Sequence, residues 1–171
     1  HFTLSGSSRG NIVTEPAMPI PAANVTGPTG KASRIFCKSM VLAGIGILPL
    51  GWHRLIKAPA DRWANRVGDL DHPEFSLFKQ IWDGLQGLSN PEEMAALFDG
   101  VLLRAIDRHD PLEKDIEGIH EALADPNISS VVDLADATGI SQQRLERLCR
   151  RIFGFPPKRL LRRQRFLRTL G

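Results

Sequence analysis

The sequence predicts a mixed α and β chain in two parts: strands followed by helices over residues 1–110, and an all-α portion over residues 111–171. Short apolar runs separated by proline and glycine fill the first 56 residues, a pattern typical of strands and turns. Apolar residues recur at helical spacing from about residue 60 onward. Asp110-Pro111 divides the two parts, because the residue before a proline is disfavoured in a helix.

Residues 1 to about 56 are expected to be extended. Residues 2–4 predict a short strand closed by the Ser-Gly-Ser-Ser turn that follows, and residues 34–37 and 41–48 predict two further strands. Residues 16–30 contain four prolines and two glycines and cannot be helical. This pattern is compatible with part of a small β-barrel or a cupin-like sensor domain.

Helices are expected over residues 60–109. Residues 60–67 predict a short helix, and residues 76–88 predict an amphipathic helix with a broad apolar stripe. The next helix, residues 91–109, has Asn90 as its N-cap and a proline at its first position. Its own apolar stripe and the short connection between the two helices predict antiparallel packing.

The all-α portion begins with a predicted helix over residues 112–123, and Ser129 or Ser130 is expected to cap the next one. Ala135 then lies four residues before Gly139, and apolar residues follow that glycine by one, six and nine positions. A helix-turn-helix has this spacing: the alanine allows a close crossing and the glycine adopts the positive φ of the turn. The alternative is an ordinary helical hairpin with a glycine turn.

The second helix of this pair, about residues 141–152, is predicted to be a recognition helix whose N-terminal residues meet base edges in the major groove. Glutamine suits adenine and arginine suits guanine, while Glu146 is expected to accept from a cytosine amine or to pair with a neighbouring arginine. The candidate base-reading residues are Ser141, Gln142, Gln143, Glu146 and Arg147. The candidate phosphate-binding residues are Arg144, Arg150, Arg151, Lys158, Arg159, Arg162 and Arg163. For each of them the alternative is a solvated surface side chain.

After this helix, Gly154 is expected to end it and the two prolines at 156 and 157 to begin the last helix. The apolar residues of that last helix are expected to pack inward, and they are Leu160, Leu161, Phe166, Leu167 and Leu170.

Charge is segregated along the chain. Residues 141–171 contain ten Lys or Arg and one acid, whereas the first 140 residues contain 12 basic and 18 acidic side chains. A basic end on an acidic body predicts a polyanionic partner. A membrane surface is also anionic, and the helix-turn-helix spacing favours DNA.

Residues from about 119 to 170 resemble the first helix-turn-helix half of the arabinose-regulator (AraC/XylS) family of transcription factors. The resemblance rests on DLADATGIS at 133–141, LERLCRR at 145–151, Gly-Phe-Pro-Pro at 154–157 and the basic run after it. Cys149 departs from the phenylalanine usual in the family, so the core there is expected to be smaller or repacked. Residues 44–70 also resemble the ligand-domain region of some members.

The resemblance implies a transcription regulator that binds double-stranded DNA and senses an unknown small-molecule effector. Residues 1–110 would then be part of its sensor and dimerisation domain, and residues 111–171 the helix-turn-helix half with its linker helix. It also implies a homodimer through helices 76–88 and 91–109; the alternative is that both apolar stripes are buried within the monomer. Family members have a second helix-turn-helix after the linker helix, so the chain is expected to be a fragment. Residues are also expected to be missing upstream, because it begins without methionine inside a predicted strand.

Other classes of function have little support in the sequence. Cys37 and Cys149 are too few and too far apart for a disulfide framework, and a cytoplasmic protein is expected. The sequence has no apolar run of about 18 residues, so no membrane span is predicted. The His120-Glu121 pair lacks the second histidine of a zinc helix, since residue 124 is alanine. No nucleophile, base and orienting group occur together, so neither an enzyme nor a cofactor is predicted.

A second hypothesis is a non-specific nucleic-acid or protein-interaction module that uses the basic C-terminal helices. Base readout distinguishes this module from a sequence-specific regulator, because only in the regulator does loss of a base-reading side chain relax the preference at one base position of the DNA site.

Overall fold

A computed structural model describes residues 1–12, 18–106 and 110–169. Across these ranges the chain is mixed α and β, with the strands in the first 69 residues and helices dominating thereafter. The strands are β1 (Phe2–Ile12), β2 (Met18–Pro19), β3 (Asn24–Thr26), β4 (Ser33–Ala43) and β5 (Val67–Asp69). The α-helices are α1 (Pro49–Gly51), α2 (Ser76–Leu85), α3 (Pro91–Ala105), α4 (Glu113–Ala124), α5 (Val131–Thr138), α6 (Gln142–Leu148) and α7 (Pro157–Arg168).

Four short helical segments of other types complete the described part. Ala60–Trp63 and Pro73–Phe75 are 3₁₀ helices. Trp52–Ile56 and Cys149–Phe153 are single π-helical segments that continue directly from α1 and α6.

The strands form two small antiparallel sheets, one in the order β2-β1-β4 and one pairing β3 with β5. Within the described ranges the strands form no closed barrel, and the expected partial barrel or cupin-like portion stays a prediction. The long ladder pairs Phe2 with Ala43 at one end and Ile12 with Ser33 at the other. The turn predicted after residue 4 is wrong: the Ser-Gly-Ser-Ser segment lies inside β1, where Gly6 takes φ +84° at an irregularity of the ladder.

Two further boundaries differ from the prediction. The strands expected at 34–37 and 41–48 are one continuous strand, β4, which ends at Ala43. Residues 49–56 are helical rather than extended. Pro49 accounts for the change, because its fixed φ suits the first position of a helix and its missing N–H does not suit a sheet.

The helix expected over 60–67 is a 3₁₀ helix followed by β5. A Cβ on Gly68 would lie 2.3 Å from the Phe75 ring and 2.6 Å from the Trp63 ring, so this backbone runs against two aromatic side chains. That close approach is possible only with glycine and favours an extended path over a helix.

The hydrophobic core of the N-terminal portion joins Phe2 at the start of β1 and Val25 of β3 to the segment 52–60 and to α2 and α3. Phe2 of β1 stacks on Trp82 at 6.1 Å between ring centroids and packs at 5.6 Å against Phe98. The apolar stripes of α2 and α3 are buried or half-buried here within one chain, and a homodimer through them remains a prediction. Helix α2 ends at Leu85, three residues early, and α3 ends at Ala105; the expected remainder at 107–109 lies outside the described residues.

The helices α4 to α7 enclose a second core. Its buried members are Ile116, Ile119, Leu123, Ile128, Leu134, Ala135, Ile140, Leu145, Leu148, Cys149, Ile152, Phe153, Phe155, Leu160 and Leu161. Helix α4 begins at Glu113 and α7 at Pro157, each within a residue of its predicted start.

The two portions are packed against each other. A Cβ on Gly154 would lie 2.8 Å from Pro28 and 3.2 Å from the Ala60 carbonyl oxygen, so the two backbones nearly touch. The His53 Nε2 lies 3.0 Å from the Asp110 carboxylate, and an ion pair joins Arg54 to Glu113 at 2.7 Å. The predicted division at residue 110 is therefore a closely packed junction.

Candidate nucleic-acid interface

Helix α5 begins at a capping box. The Asp133 N–H donates to the Ser130 Oγ at 3.1 Å, and the Ser130 N–H donates back to the Asp133 carboxylate at 2.9 Å. Ser130, rather than Ser129, is therefore the N-cap. Hydrogen bonding from the Ser130 side chain, and then from the Ser129 and Ser130 N–H groups, lowers the pKa of Asp133.

The turn between α5 and α6 agrees with the prediction from spacing. Gly139 has φ +67°, and the Ile140 N–H donates to the Ala135 carbonyl at 3.2 Å. Ser141 then caps α6, because its Oγ accepts from the Arg144 N–H at 3.4 Å. These bonds set the direction in which α6 leaves the turn.

Helix α6 has one buried and one exposed face. Leu145 and Leu148 are fixed in the core, whereas Gln142, Gln143 and Arg147 are exposed. None of these three polar side chains has a hydrogen bond or an ion pair to any residue that the structure describes. Gln143 and Arg147 are four residues apart and so are neighbours on the helix surface. The helix thus holds rigidly a polar surface that is available to a partner.

The helix predicted over 141–152 is present, but its last third is π-helical rather than α-helical. Regular α-helix ends at Leu148, and Cys149–Phe153 form a π-helical segment that ends at Gly154 with φ +82°. This wider turn packs against the 3₁₀ helix Ala60–Trp63. Cys149 is completely buried there. That burial, with a smaller contribution from the Glu146 carboxylate, raises the pKa of its thiol to about 12.

Two of the predicted phosphate-binding residues are paired with carboxylates. Arg144 donates to Asp115 of α4 through Nε at 3.2 Å and Nη2 at 2.5 Å. Arg150 donates to Glu146 one turn earlier, at 2.9 Å from its Nε. Glu146 therefore follows the second of its two expectations, pairing with a neighbouring arginine.

A third predicted phosphate-binding residue, Arg159, has a structural contact instead. Its guanidinium carbon lies 4.2 Å above the Phe155 ring centroid, and Nη2 donates to the Gly30 carbonyl at 3.3 Å. The side chain thus joins the start of α7 to the N-terminal portion. The remaining predicted phosphate-binding side chains are exposed and have no partner among the described residues: Arg151, Lys158, Arg162 and Arg163.

Helix α7 also presents residues that the sequence prediction missed. Arg165 is exposed and unpaired within the described chain, beside the predicted basic residues. Phe166 and Leu167, expected to pack inward, are 61% and 45% exposed. The buried side of α7 is complete with Pro157, Leu160 and Leu161, so its last turn extends beyond the core. Leu170 lies outside the described residues.

Other kinds of site have no support in the part of the chain that the structure describes. Its His, Cys, Asp and Glu side chains nowhere gather in threes around a position for a metal ion. Among the helices described there is none with both the length and the apolar content to cross a bilayer.

Compared with models of known protein families, with curated proteins and with solved structures, the chain matches none of them.

Proposed function

We propose that this chain binds double-stranded DNA sequence-specifically and regulates transcription, with α5 and α6 as a helix-turn-helix and α6 as its recognition helix. One observation carries the proposal: Gln142, Gln143 and Arg147 are exposed and unpaired on a helix whose opposite face is fixed in the core. A rigid element with free amide and guanidinium groups is what readout of base edges requires.

Each side chain of this face has a chemical counterpart in the major groove. The glutamine amides suit the N6 and N7 positions of adenine, and the Arg147 guanidinium suits O6 and N7 of guanine. Ser141 Oγ accepts from one backbone N–H, so its hydroxyl hydrogen and its second lone pair are available to DNA. Glu146 is held by Arg150, and this pairing keeps an acidic group from repelling phosphates.

Phosphate binding falls mainly to the unpaired cations around α6 and along α7. Arg151, Lys158, Arg162 and Arg163 are exposed, and each phosphate that they neutralise releases counterions. Arg144 contributes only if it exchanges Asp115 for a phosphate. The first turn of α7 is fixed by Arg159, so these cations are presented from a stable helix.

We infer further that the chain is similar to AraC/XylS regulators, with a cupin-like N-terminal sensor for a small-molecule effector and a homodimer contact through α2 and α3. The support is the DLADATGIS segment, the glycine turn at Gly139 and the Gly154 end of the second helix. The strands of residues 1–69 supply the sensor portion under this proposal.

The experiment is selection of random duplex DNA by the chain, with the enriched sites measured again at two salt concentrations. We expect a short enriched motif. Arg147→Ala should relax preference at one base position and cost about 1–3 kcal/mol there. Arg162→Ala should weaken every duplex equally and lower the salt slope by about 1. Arg66→Ala, an exposed arginine of the N-terminal portion, is the matched control and should change neither.

The second candidate is a module that binds nucleic acids non-specifically. It is favoured by the exposed Phe166 and Leu167 among the cations of α7, since aromatic side chains stack on unpaired bases. In that case no motif is enriched, Arg147→Ala and Arg162→Ala weaken binding alike, and Phe166→Ala lowers affinity for single strands. The lack of an enriched motif, or equal weakening by Arg147→Ala and Arg162→Ala, would contradict sequence-specific readout.

A further inference from the structure

A cavity of about 410 Å³ lies between the N-terminal portion and the helices α4 and α7. Residues 24–29 and the segment after β4 form one side, and the π-helical segment that follows α6 contributes to the other. The volume falls within the range of about 300–1,000 Å³ that small-molecule sites usually have. The cavity therefore has the size of a ligand site and touches both portions of the chain.

The deep wall of this cavity is apolar. Val25, Trp52 and Phe78 line it from the N-terminal side, and Ile152 and Leu160 line it from the helical side. All five are buried in the fold. Such a wall fits the hydrocarbon or aromatic body of a ligand.

The part of the cavity lining that α7 and α4 supply includes polar and basic side chains. Arg163, Gln164 and Leu167 of α7 line the cavity at helical spacing from Leu160, and Arg163 is also solvent-exposed. His120 of α4 lines the same cavity. Neither Arg163 nor His120 has a hydrogen bond or ion pair to a residue that the structure describes. No acidic side chain lines the cavity among the described residues.

We propose that this cavity binds an organic anion: a ligand with an apolar body in the deep wall and a carboxylate or sulfonate group on Arg163. A guanidinium offers paired N–H donors to such a group, and no lining carboxylate competes for them. The site deepens the effector-sensing part of the proposed function and rests on that function only for its effect on DNA.

The effect on DNA follows from Arg163 itself. This side chain is one of the unpaired cations assigned to phosphate binding, and a ligand anion on its guanidinium occupies the same donors. Ligand and duplex therefore bind with negative coupling, and each lowers the affinity for the other by the same factor.

Binding is tested on the whole chain without DNA, by fluorescence titration with 8-anilinonaphthalene-1-sulfonate. Its neutral analogue N-phenyl-1-naphthylamine, which lacks the sulfonate, is the matched probe. We expect one saturable site for the sulfonate. Arg163→Gln should weaken the sulfonate at least tenfold and leave the neutral probe unchanged. Arg162→Gln, the same change at an exposed neighbour outside the cavity lining, should leave both probes unchanged.

A second variant tests the same site by charge. Gln164→Glu places a carboxylate beside Arg163, and it should weaken the sulfonate probe while sparing the neutral one. Equal affinities for the two probes, or a sulfonate affinity that neither variant changes, would overturn the proposal. That result leaves sequence-specific DNA binding intact, because selection of duplex DNA needs no ligand. Conversely, sulfonate binding with no enriched DNA motif refutes only the proposed function.

Discussion

Two glycines with the same backbone conformation and different surroundings allow the packing between the two portions to be measured. Gly139 has φ +67° and Gly154 has φ +82°. An alanine Cβ at 139 would meet no heavy atom within 4 Å. At 154 it would lie 2.8 and 2.9 Å from carbon atoms of Pro28 and 3.2 Å from the Ala60 carbonyl oxygen. Alanine at 139 therefore tests the backbone alone, and alanine at 154 adds the contact.

The expected magnitudes follow from that difference. A left-handed conformation costs an L-residue about 1–2 kcal/mol, and the lost freedom of the unfolded chain offsets part of this cost. Gly139→Ala should therefore lower the free energy of unfolding by about 1 kcal/mol. Gly154→Ala should lower it by a further amount of about 1–3 kcal/mol, because the side chain must displace Pro28.

Urea denaturation followed by circular dichroism measures both variants. With a slope of about 2 kcal/mol/M, the midpoint should fall by about 0.5 M for Gly139→Ala and by at least twice that for Gly154→Ala. Gly118→Ala, in the interior of α4 with open space around it, is the control and should raise stability by up to about 1 kcal/mol. Equal losses of unfolding free energy in Gly139→Ala and Gly154→Ala would refute the reasoning, since the contact with Pro28 would then add nothing to the cost at 154.

Two further predictions concern one ion pair and one thiol. Asp115→Asn should free Arg144 and steepen the salt dependence of duplex binding by about 0.9 in the logarithmic slope. Asp99→Asn, at an exposed position, makes the same charge change and is the control. Equal slopes for the two variants would argue against phosphate binding by Arg144. Between pH 9 and 12 the free energy of unfolding should fall by up to about 1.4 kcal/mol per pH unit, because the folded chain retains the Cys149 proton that the unfolded chain releases. Cys149→Ala should remove that part of the slope in pH-dependent urea titrations, and an unchanged slope would contradict the burial of the thiol.

The features predicted correctly are those decided within a few residues of sequence. Asn90 caps α3 by accepting from the Glu92 N–H, Ser141 caps α6, and the glycines at 139 and 154 have the positive φ of helix ends. Each of these signals is complete within one turn of helix. The helical half of the chain could therefore be outlined from sequence with small errors at its boundaries.

The errors concern features decided by distant parts of the chain. Whether Ser5 continues a strand depends on β4, more than 30 residues later. The same holds at the candidate interface, where Arg144 pairs with a residue 29 positions away and Arg159 with one 129 positions away. The alternation of apolar residues after Leu148 also fits both an α and a π turn, so packing against Ala60–Trp63 decides between them.

Helix α6 continues without interruption into the π-helical segment Cys149–Phe153. This continuity has a mechanical consequence. A seven-residue helix is about 10 Å long. The segment Cys149–Phe153, which extends the far end of α6, packs against Ala60–Trp63. A tilt of about 10° at that end would displace the Gln142 end by nearly 2 Å, several times the roughly 0.5 Å spread of good hydrogen-bond lengths. The direction of α6 is therefore fixed at two places, by Leu145 and Leu148 in the helical core and by the contact of its far end with residues 60–63 of the N-terminal portion.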